Sequence, residues 1–213
     1  MPRDELEITP KLLLSAYAAG VFPMAEHRDG VTRWVDPHRR GVIPLDRLHI
    51  SRSLARRARR GGFEVRVDTA FAAVVDACAD RAETWINDEI RDLYAELAGM
   101  NAAHSVEIWQ EGALVGGLYG VRLGGAFFGE SMFSAIPDAS KLALVWLVAR
   151  LRAGGFTLLD TQFVTDHLTR MGAEEISRTA YRKRLAHALV QQADFHALPD
   201  GLSADDILAR ARA

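Results

Sequence analysis

The sequence predicts an α+β fold: a small N-terminal domain, then a larger domain with a mixed, mainly antiparallel sheet flanked by helices. Three observations carry this. Strand-like segments at 105–110, 113–121 and 126–132 are separated by Glu111-Gly112 and by Arg122-Leu-Gly-Gly125, turn chemistry suited to an antiparallel meander. Capped helical segments lie on both sides of that meander. Before residue 44, large apolar groups sit between prolines without a long periodic run, the pattern of a compact irregular lobe.

Taken in order, residues 8–19 read as a helix. Thr9-Pro10 supplies a cap and a first-turn proline, Leu12, Leu13, Ala16 and Tyr17 form one face, and Gly20 ends it. Val21-Phe22-Pro23-Met24 and Trp34-Val35-Asp36-Pro37 are short extended pieces of the lobe, and Pro44-Leu45-Asp46 marks its end. The domains are drawn accordingly at 1–44 and 45–195, with a C-terminal tail at 196–213. Ser51 caps a helix closing at Gly61-Gly62, with Arg52, Arg56, Arg59 and Arg60 on one side and Leu54 and Ala58 on the other. Val65-Arg66-Val67 is a short strand. Asp68 or Thr69 caps a helix to about Cys78, and Asn87 caps another with Asp88 and Glu89 in its first turn, where the dipole favours anions.

After the meander, Asp138 opens an apolar-faced helix that closes at Gly154-Gly155 and leads into a strand from Phe156 to Phe163. Thr165 to Met171 is a short helix stopped by Gly172, and Ser177 caps a last, basic helix. This order is that of a GNAT-like acyltransferase domain, in which an acyl donor lies across splayed central strands.

At 213 residues and 49 per cent hydrophobic, the chain can bury a full core. A net charge of −2 gives no global pull toward nucleic acid, so any such contact needs a local patch. The arginine stripe of residues 52–60 is one, with Arg39, Arg40 and Arg47 upstream. It reads either as a solvated face or as a track for a phosphate backbone. Met1-Pro2-Arg3-Asp4-Glu5 lacks a basic-then-apolar leader and no apolar run reaches the ~18 residues a bilayer span needs, so a cytoplasmic protein is expected. Cys78, the only cysteine, lies among Ala and Val and reads as core filler. The seven histidines show no metal-ligand spacing with cysteine or carboxylate, so no metal is expected.

Glu130, Asp160 and Gln162 stand out because each interrupts an apolar strand and needs a partner or a substrate. Strand alternation puts Leu158, Asp160 and Gln162 on one face, with Asp160 and Gln162 about 7 Å apart. A carboxylate there can orient and polarise the neighbouring amide, and Glu130 falls one strand away in the same cleft. Lys141 reads as a surface lysine. The segment Phe133-Ser-Ala-Ile-Pro-Asp-Ala-Ser-Lys141 tests for coenzyme A, because CoA-dependent members of this fold bind pyrophosphate on Gly-rich amides at a helix N-terminus there. It has no glycine and puts Pro137 and Asp138 where phosphates would sit. A CoA thioester is therefore not the expected donor. Gly116-Gly117-Leu-Tyr-Gly120 lies inside a strand, so it reads as close backbone packing rather than as a dinucleotide fingerprint.

An ordered series of motifs extends from Leu12 to Leu185. It includes Leu-Leu-Leu-Ser-Ala-Tyr-Ala-Ala-Gly-Val-Phe-Pro (12–23), Leu-His-Ile-Ser-Arg-Ser-Leu (48–54), Thr-Trp-Ile (84–86), His-Ser-Val-Glu-Ile-Trp (104–109), Phe-Phe-Gly-Glu-Ser-Met-Phe-Ser (127–134), Asp-Ala-Ser-Lys (138–141) and Leu-Leu-Asp-Thr-Gln (158–162). In these motifs the chain resembles the leucyl/phenylalanyl-tRNA–protein transferase family. The resemblance implies an enzyme that moves leucine or phenylalanine from aminoacyl-tRNA to the N-terminal Arg or Lys of an acceptor protein, forming a peptide bond and an N-degron. It implies that no cofactor, ATP or metal is required, and a monomer that does not engage a membrane is expected.

Carried over by motif, Asp160 and Gln162 are the expected catalytic pair, Asp160 polarising Gln162, with Glu130 beside them for the acceptor's cationic end. Leu118, Met132, Leu144, Leu147 and Leu159 are expected to line the donor side-chain pocket, and Trp85 and Phe127 to hold the terminal adenosine. Met24 stands where the family has Trp in Phe-Pro-Trp, at the tRNA end. Competing readings are a CoA-dependent N-acyltransferase of the same fold and a noncatalytic RNA-binding module using Arg52, Arg56, Arg59 and Arg60.

Overall fold

The computed structural model describes residues 8–25, 27–28, 30–81 and 84–212; the segment Met1–Glu5 read above for a leader lies outside them. The chain opens with α1 (Pro10–Ala18), whose first turn is closed by Thr9 Oγ1 accepting the Leu12 N–H at 3.2 Å. β1 (Phe22–Ala25) and β2 (Thr32–Val35) pair as an antiparallel hairpin, and β3 (Arg39–Ile43) follows. Next come α2 (Arg52–Arg60), β4 (Glu64–Val67), α3 (Phe71–Ala79) and α4 (Asp88–Gly99). The meander is β5 (Ala103–Gln110), β6 (Ala113–Leu123) and β7 (Ala126–Ser134), followed by α5 (Ala139–Ala153) and β8 (Leu158–Gln162). The chain closes with α6 (Asp166–Thr169), β9 (Glu174–Ser177), α7 (Arg178–Leu189) and α8 (Ala204–Arg212).

Seven strands form one sheet in the order β4-β5-β6-β7-β8-β3-β9. Every pair is antiparallel except β7–β8, because the crossover through α5 brings β8 alongside β7 in the same direction. The expected mixed, mainly antiparallel sheet flanked by helices is therefore present. Alternation along the strands feeds two cores. Ile108, Leu118, Phe127, Leu159 and Ile43 pack under α2, α5 and α8, while Tyr119, Phe128, Leu158 and Val42 pack under α1, α3, α4 and α7. Burying a Phe such as 127 or 128 contributes roughly 2–3 kcal/mol by area removed from water.

Three readings of the sequence are corrected. β3 was assigned to the small N-terminal domain, yet it sits inside the main sheet between β8 and β9, where its backbone groups find partners on both sides. The C-terminal segment 196–213 is not a tail up to Arg212: α8 buries Ile207, Leu208 and Ala211 against α5, and Ser203 Oγ caps it by accepting the Asp206 N–H. Neither Asp68 nor Thr69 caps α3. The buried Glu107 of β5 does so from across the sheet edge, accepting the Thr69 and Ala70 N–H groups at 2.9 and 2.8 Å.

The glycines of β6 behave as the sequence indicated. A Cβ on Gly116 would collide with Ala139, so the missing side chain is what allows the start of α5 to lie on the strand.

Candidate active site

β7 and β8 stay paired only from Ala126–Leu158 to Phe128–Asp160. Beyond that point they diverge, and a β-bulge lies on each side of the opening. On β7 the register moves from Gly120↔Gly129 to Tyr119↔Ser131, which makes Glu130 the extra residue. The bulge also resets the alternation. Phe128 and Glu130 face the core under α1 and α4, whereas Met132 swings to the side of α5.

On β8 the register moves from Val42↔Asp160 to Gly41↔Gln162, so Thr161 is the extra residue, and Gln162 takes a left-handed φ of 60°. Gly41 permits this, since a Cβ there would stand 2.8 Å from both Thr161 Oγ1 and the Phe163 carbonyl carbon.

The divergence opens a cavity of about 850 Å³. The residues expected as the donor side-chain pocket, Leu118, Met132, Leu144, Leu147 and Leu159, all line it, as do Trp85, Glu130 and Gln162. Asp160 does not. It is fully buried on the other side of β8, where Arg40 grips it through Nε at 2.9 and 3.1 Å and Nη2 at 2.6 Å, and the Tyr181 hydroxyl donates at 2.7 Å. The Arg40 guanidinium lies between the Phe22 and Tyr181 rings at 4.4 and 4.6 Å and donates to the Gly20 carbonyl at 3.0 Å.

The expectation that Asp160 polarises the Gln162 side-chain amide is corrected. Its Oδ1 accepts the Gln162 backbone N–H at 2.8 Å, so it holds the strained main chain at the bulge. The Gln162 amide instead donates through Nε2 to Glu130 Oε1 at 2.9 Å. The simple alternation rule missed this because the bulge and the left-handed residue turn Gln162 away from the Asp160 face.

Glu130 is 8 per cent exposed and, among the described residues, has no cationic hydrogen-bond partner. Tyr17 donates to Oε1 at 2.7 Å and Tyr94 to Oε2 at 2.8 Å, and the two tyrosine oxygens are themselves 2.7 Å apart. Burial pushes the Glu130 carboxyl up to about 7, against the opposing pull of the Tyr17, Gln162 and Tyr94 donors. Sequence reading missed Arg40, Tyr17, Tyr94 and Tyr181 as site residues. One signal was available: Arg40 shares its strand face with Val42, which points a guanidinium into the core and calls for an acid.

Two expected binding residues lie elsewhere. Phe127 is fully buried and stacks on Phe195 at 5.5 Å, so it belongs to the core rather than to an adenosine site. Met24 is half-buried against the α1–α4 core and does not line the cavity. Arg52, Arg56, Arg59 and Arg60 are exposed on α2 and do not line the cavity either, and Arg59 pairs with Asp205 of α8 at 2.7 Å. The histidines, which show no ligand spacing in sequence, include two that the fold brings near one carboxylate. Ligand atoms of Asp68, His104 and His196 lie within 4.8 Å of one another, with His104 Nδ1 in a 2.7 Å hydrogen bond to Asp68.

Residues 42–186 match the family model described as leucyl/phenylalanyl-tRNA protein transferase, and residues 7–38 match its N-terminal domain. A leucyl/phenylalanyl-tRNA--protein transferase of Ruegeria pomeroyi is 59% identical over 194 residues, covering 91% of this chain and 92% of the relative. The protein of the same name from Paramagnetospirillum magneticum is 60% identical over 193 residues, covering 88% and 92%. Among solved structures, L-PGS from Bacillus licheniformis is similar over 75% of this chain and 61% of that one, with 17% identity and a TM-score of 0.42. The two family models together extend over both the lobe and the sheet that carries the cavity, and the chain belongs to the leucyl/phenylalanyl-tRNA protein transferase family.

Proposed function

We propose that this chain transfers leucine or phenylalanine from aminoacyl-tRNA to the N-terminal Arg or Lys of an acceptor protein, creating an N-degron, and that it works as a cytoplasmic monomer. Family membership supports the reaction class, and one observation carries the assignment of the site. The cavity between β7 and β8 joins an apolar wall of Leu118, Met132, Leu144, Leu147 and Leu159 to a polar seam of Glu130 and Gln162. Such a wall binds a leucine- or phenylalanine-sized side chain without a branch at Cβ by burial, without a hydrogen-bond reader, and its volume is within the usual ~300–1,000 Å³ of small-ligand sites. Among the described residues no helix is long and apolar enough to cross a membrane.

The chemistry follows from this arrangement. The donor ester is already activated, so holding the acceptor amine against its carbonyl supplies much of the rate. In this reading the aminoacyl side chain fills the apolar wall, and Trp85 offers a flat face at the rim for the terminal adenosine. Gln162, with its amide anchored to Glu130, presents its oxygen to the amine. Asp160 acts through the Gln162 main chain and is a positioning residue. The exposed arginines of α2 would contact tRNA phosphates, with affinity that falls as salt rises.

The CoA alternative is disfavoured at the start of α5. The Ser140 N–H is already taken by Ser134 Oγ at 3.1 Å, and the Asp138 carboxylate stands at that terminus, paired with Lys141 at 2.7 Å. Radiolabelled Leu-tRNA and Phe-tRNA incubated with a peptide beginning in Arg test the proposal. Label should enter the peptide. Absence of transfer from any aminoacyl-tRNA, with tRNA binding indifferent to its charging, would leave the noncatalytic RNA-binding module instead.

A further inference from the structure

The Tyr17, Tyr94 and Glu130 oxygens form a closed triangle of short contacts, at 2.7, 2.7 and 2.8 Å, inside the wall of the cavity. With Glu130 ionised, two hydroxyl hydrogens must serve three contacts. If both point at the carboxylate, the tyrosine oxygens face each other at 2.7 Å with lone pairs alone. If one turns to the other tyrosine, a carboxylate contact is left bare. One added proton resolves this: Glu130 Oε2–H donates to Tyr94, Tyr94 to Tyr17, and Tyr17 to Oε1. Oε1 still accepts the Gln162 amide. The ionised triangle is therefore one proton short, and the vacancy borders the site where an amine must be deprotonated.

We propose that Glu130, held by Tyr17 and Tyr94, is the base that takes the proton an acceptor α-ammonium must lose before it attacks the aminoacyl ester. The assignment rests on the transfer reading above. An α-amino group with an ordinary pKa of about 7.7–8.0 arrives mostly charged at neutral pH. In the first step the ammonium N–H bond breaks and the proton passes to the Glu130 carboxylate, leaving a neutral amine and closing the ring. The amine lone pair then forms the C–N bond while the ester C–O bond breaks. The second amine proton goes to the departing 3′-oxygen, and Glu130 returns its proton to solvent before the next turnover.

Tyr17 from α1 and Tyr94 from α4 are positioning residues. Among the described residues, Tyr119 on β6, Asp160 on β8, Arg40 on β3 and Tyr181 on α7 also interact with Glu130, and Arg81 and His167 line the cavity with it. The carboxyl's upward displacement to about 7 matches it to an amine donor near neutrality. His167, which also lines the cavity, is the rival base.

Infrared titration of the unliganded chain tests the ring without reference to turnover. A carboxylic-acid carbonyl band should disappear as pH rises through about 7, be absent in Glu130→Gln, and titrate at higher pH in Tyr17→Phe and in Tyr94→Phe, because each variant removes a hydrogen bond to the carboxylate. In the transfer assay at saturating donor and acceptor, Glu130→Gln should lower kcat by about 10²–10⁴-fold with little change in KM for the peptide. Each Tyr→Phe variant should move the acid limb of kcat upward, and His167→Asn should leave it in place. The proposal is overturned if no carboxyl titrates near neutrality, if Glu130→Gln retains kcat within about threefold, or if His167→Asn alone removes the limb. Should Glu130→Gln fail to fold, the two tyrosine variants read the same ring. A parent chain that shows the band but no transfer would reject the transfer reading and leave the proton ring standing.

Discussion

The two carboxylates beside the β7–β8 opening sit in opposite environments. Asp160 is wrapped by a guanidinium, a tyrosine hydroxyl and a backbone N–H, and it does not line the cavity between β7 and β8. Glu130 is almost as deeply buried, lines the cavity, and is held by two hydroxyls and an amide. Charged hydrogen bonds fix the first group in one role, the geometry of the β8 bulge. Neutral donors leave the second able to exist with or without a proton. The difference separates a residue that shapes the site from one that can exchange a proton with what the site holds.

The contrast can be broken most forcefully at Arg40. Arg40→Met leaves Asp160 as an uncompensated buried charge and should cost about 3–5 kcal/mol in urea unfolding, while Arg40→Met combined with Asp160→Leu should recover much of that loss. Recovery would show that the cluster's worth lies in pairing rather than in charge itself.

The second test concerns Glu130 and pH. A carboxyl raised when folded contributes stability below its unfolded pKa, and that stability is lost as pH rises through the folded value. Between about 4.5 and about 7 the parent should lose roughly 3 kcal/mol relative to Glu130→Gln, seen as diverging melting curves. Parallel curves across that window would place Glu130 in the same class as Asp160.

Gln162→Leu removes the amide that joins the seam to the substrate and should lower kcat/KM for transfer by about 100-fold, with a lowered melting temperature because the buried Glu130 loses a donor. The smallest effect sharpens the apolar side of the opening. Leu144→Phe narrows the donor wall and should reduce kcat/KM for Phe-tRNA relative to Leu-tRNA by about tenfold, measured in competition.

Much of the fold could be read directly because its signals are local. Thr9-Pro10, Ser51, Asn87 and Ser177 cap helices where they stand in sequence, and the meander turns at Glu111-Gly112 and Gly124-Gly125. Glu130, Asp160 and Gln162 were also visible, since each interrupts an apolar strand. Their connections were not. Arg40 and Asp160 are 120 residues apart, and Tyr17 and Glu130 are 113 apart. Nothing in the local pattern of an amphipathic helix reveals that its tyrosine meets a carboxylate. The bulges at Glu130 and Thr161 shift faces by one residue, which is how Asp160 and Gln162, two residues apart on an expected common face, came to serve different clusters. The α8 helix was missed although Ser203 and Asp206 carry a reciprocal cap, a signal that was present and passed over.

The division of labour between the two carboxylates is tested most directly by the pH dependence of kcat for Asp160→Asn and Glu130→Gln in the transfer assay. Rates would be taken from about pH 5.5 to about pH 8.5 with both substrates saturating. Asp160→Asn should lower kcat at every pH and keep an acid limb, moved slightly downward because the Asp160 charge helps to raise the Glu130 carboxyl, whereas Glu130→Gln should lose the parent's limb. Loss of the limb in Asp160→Asn together with an unaltered one in Glu130→Gln would contradict the account.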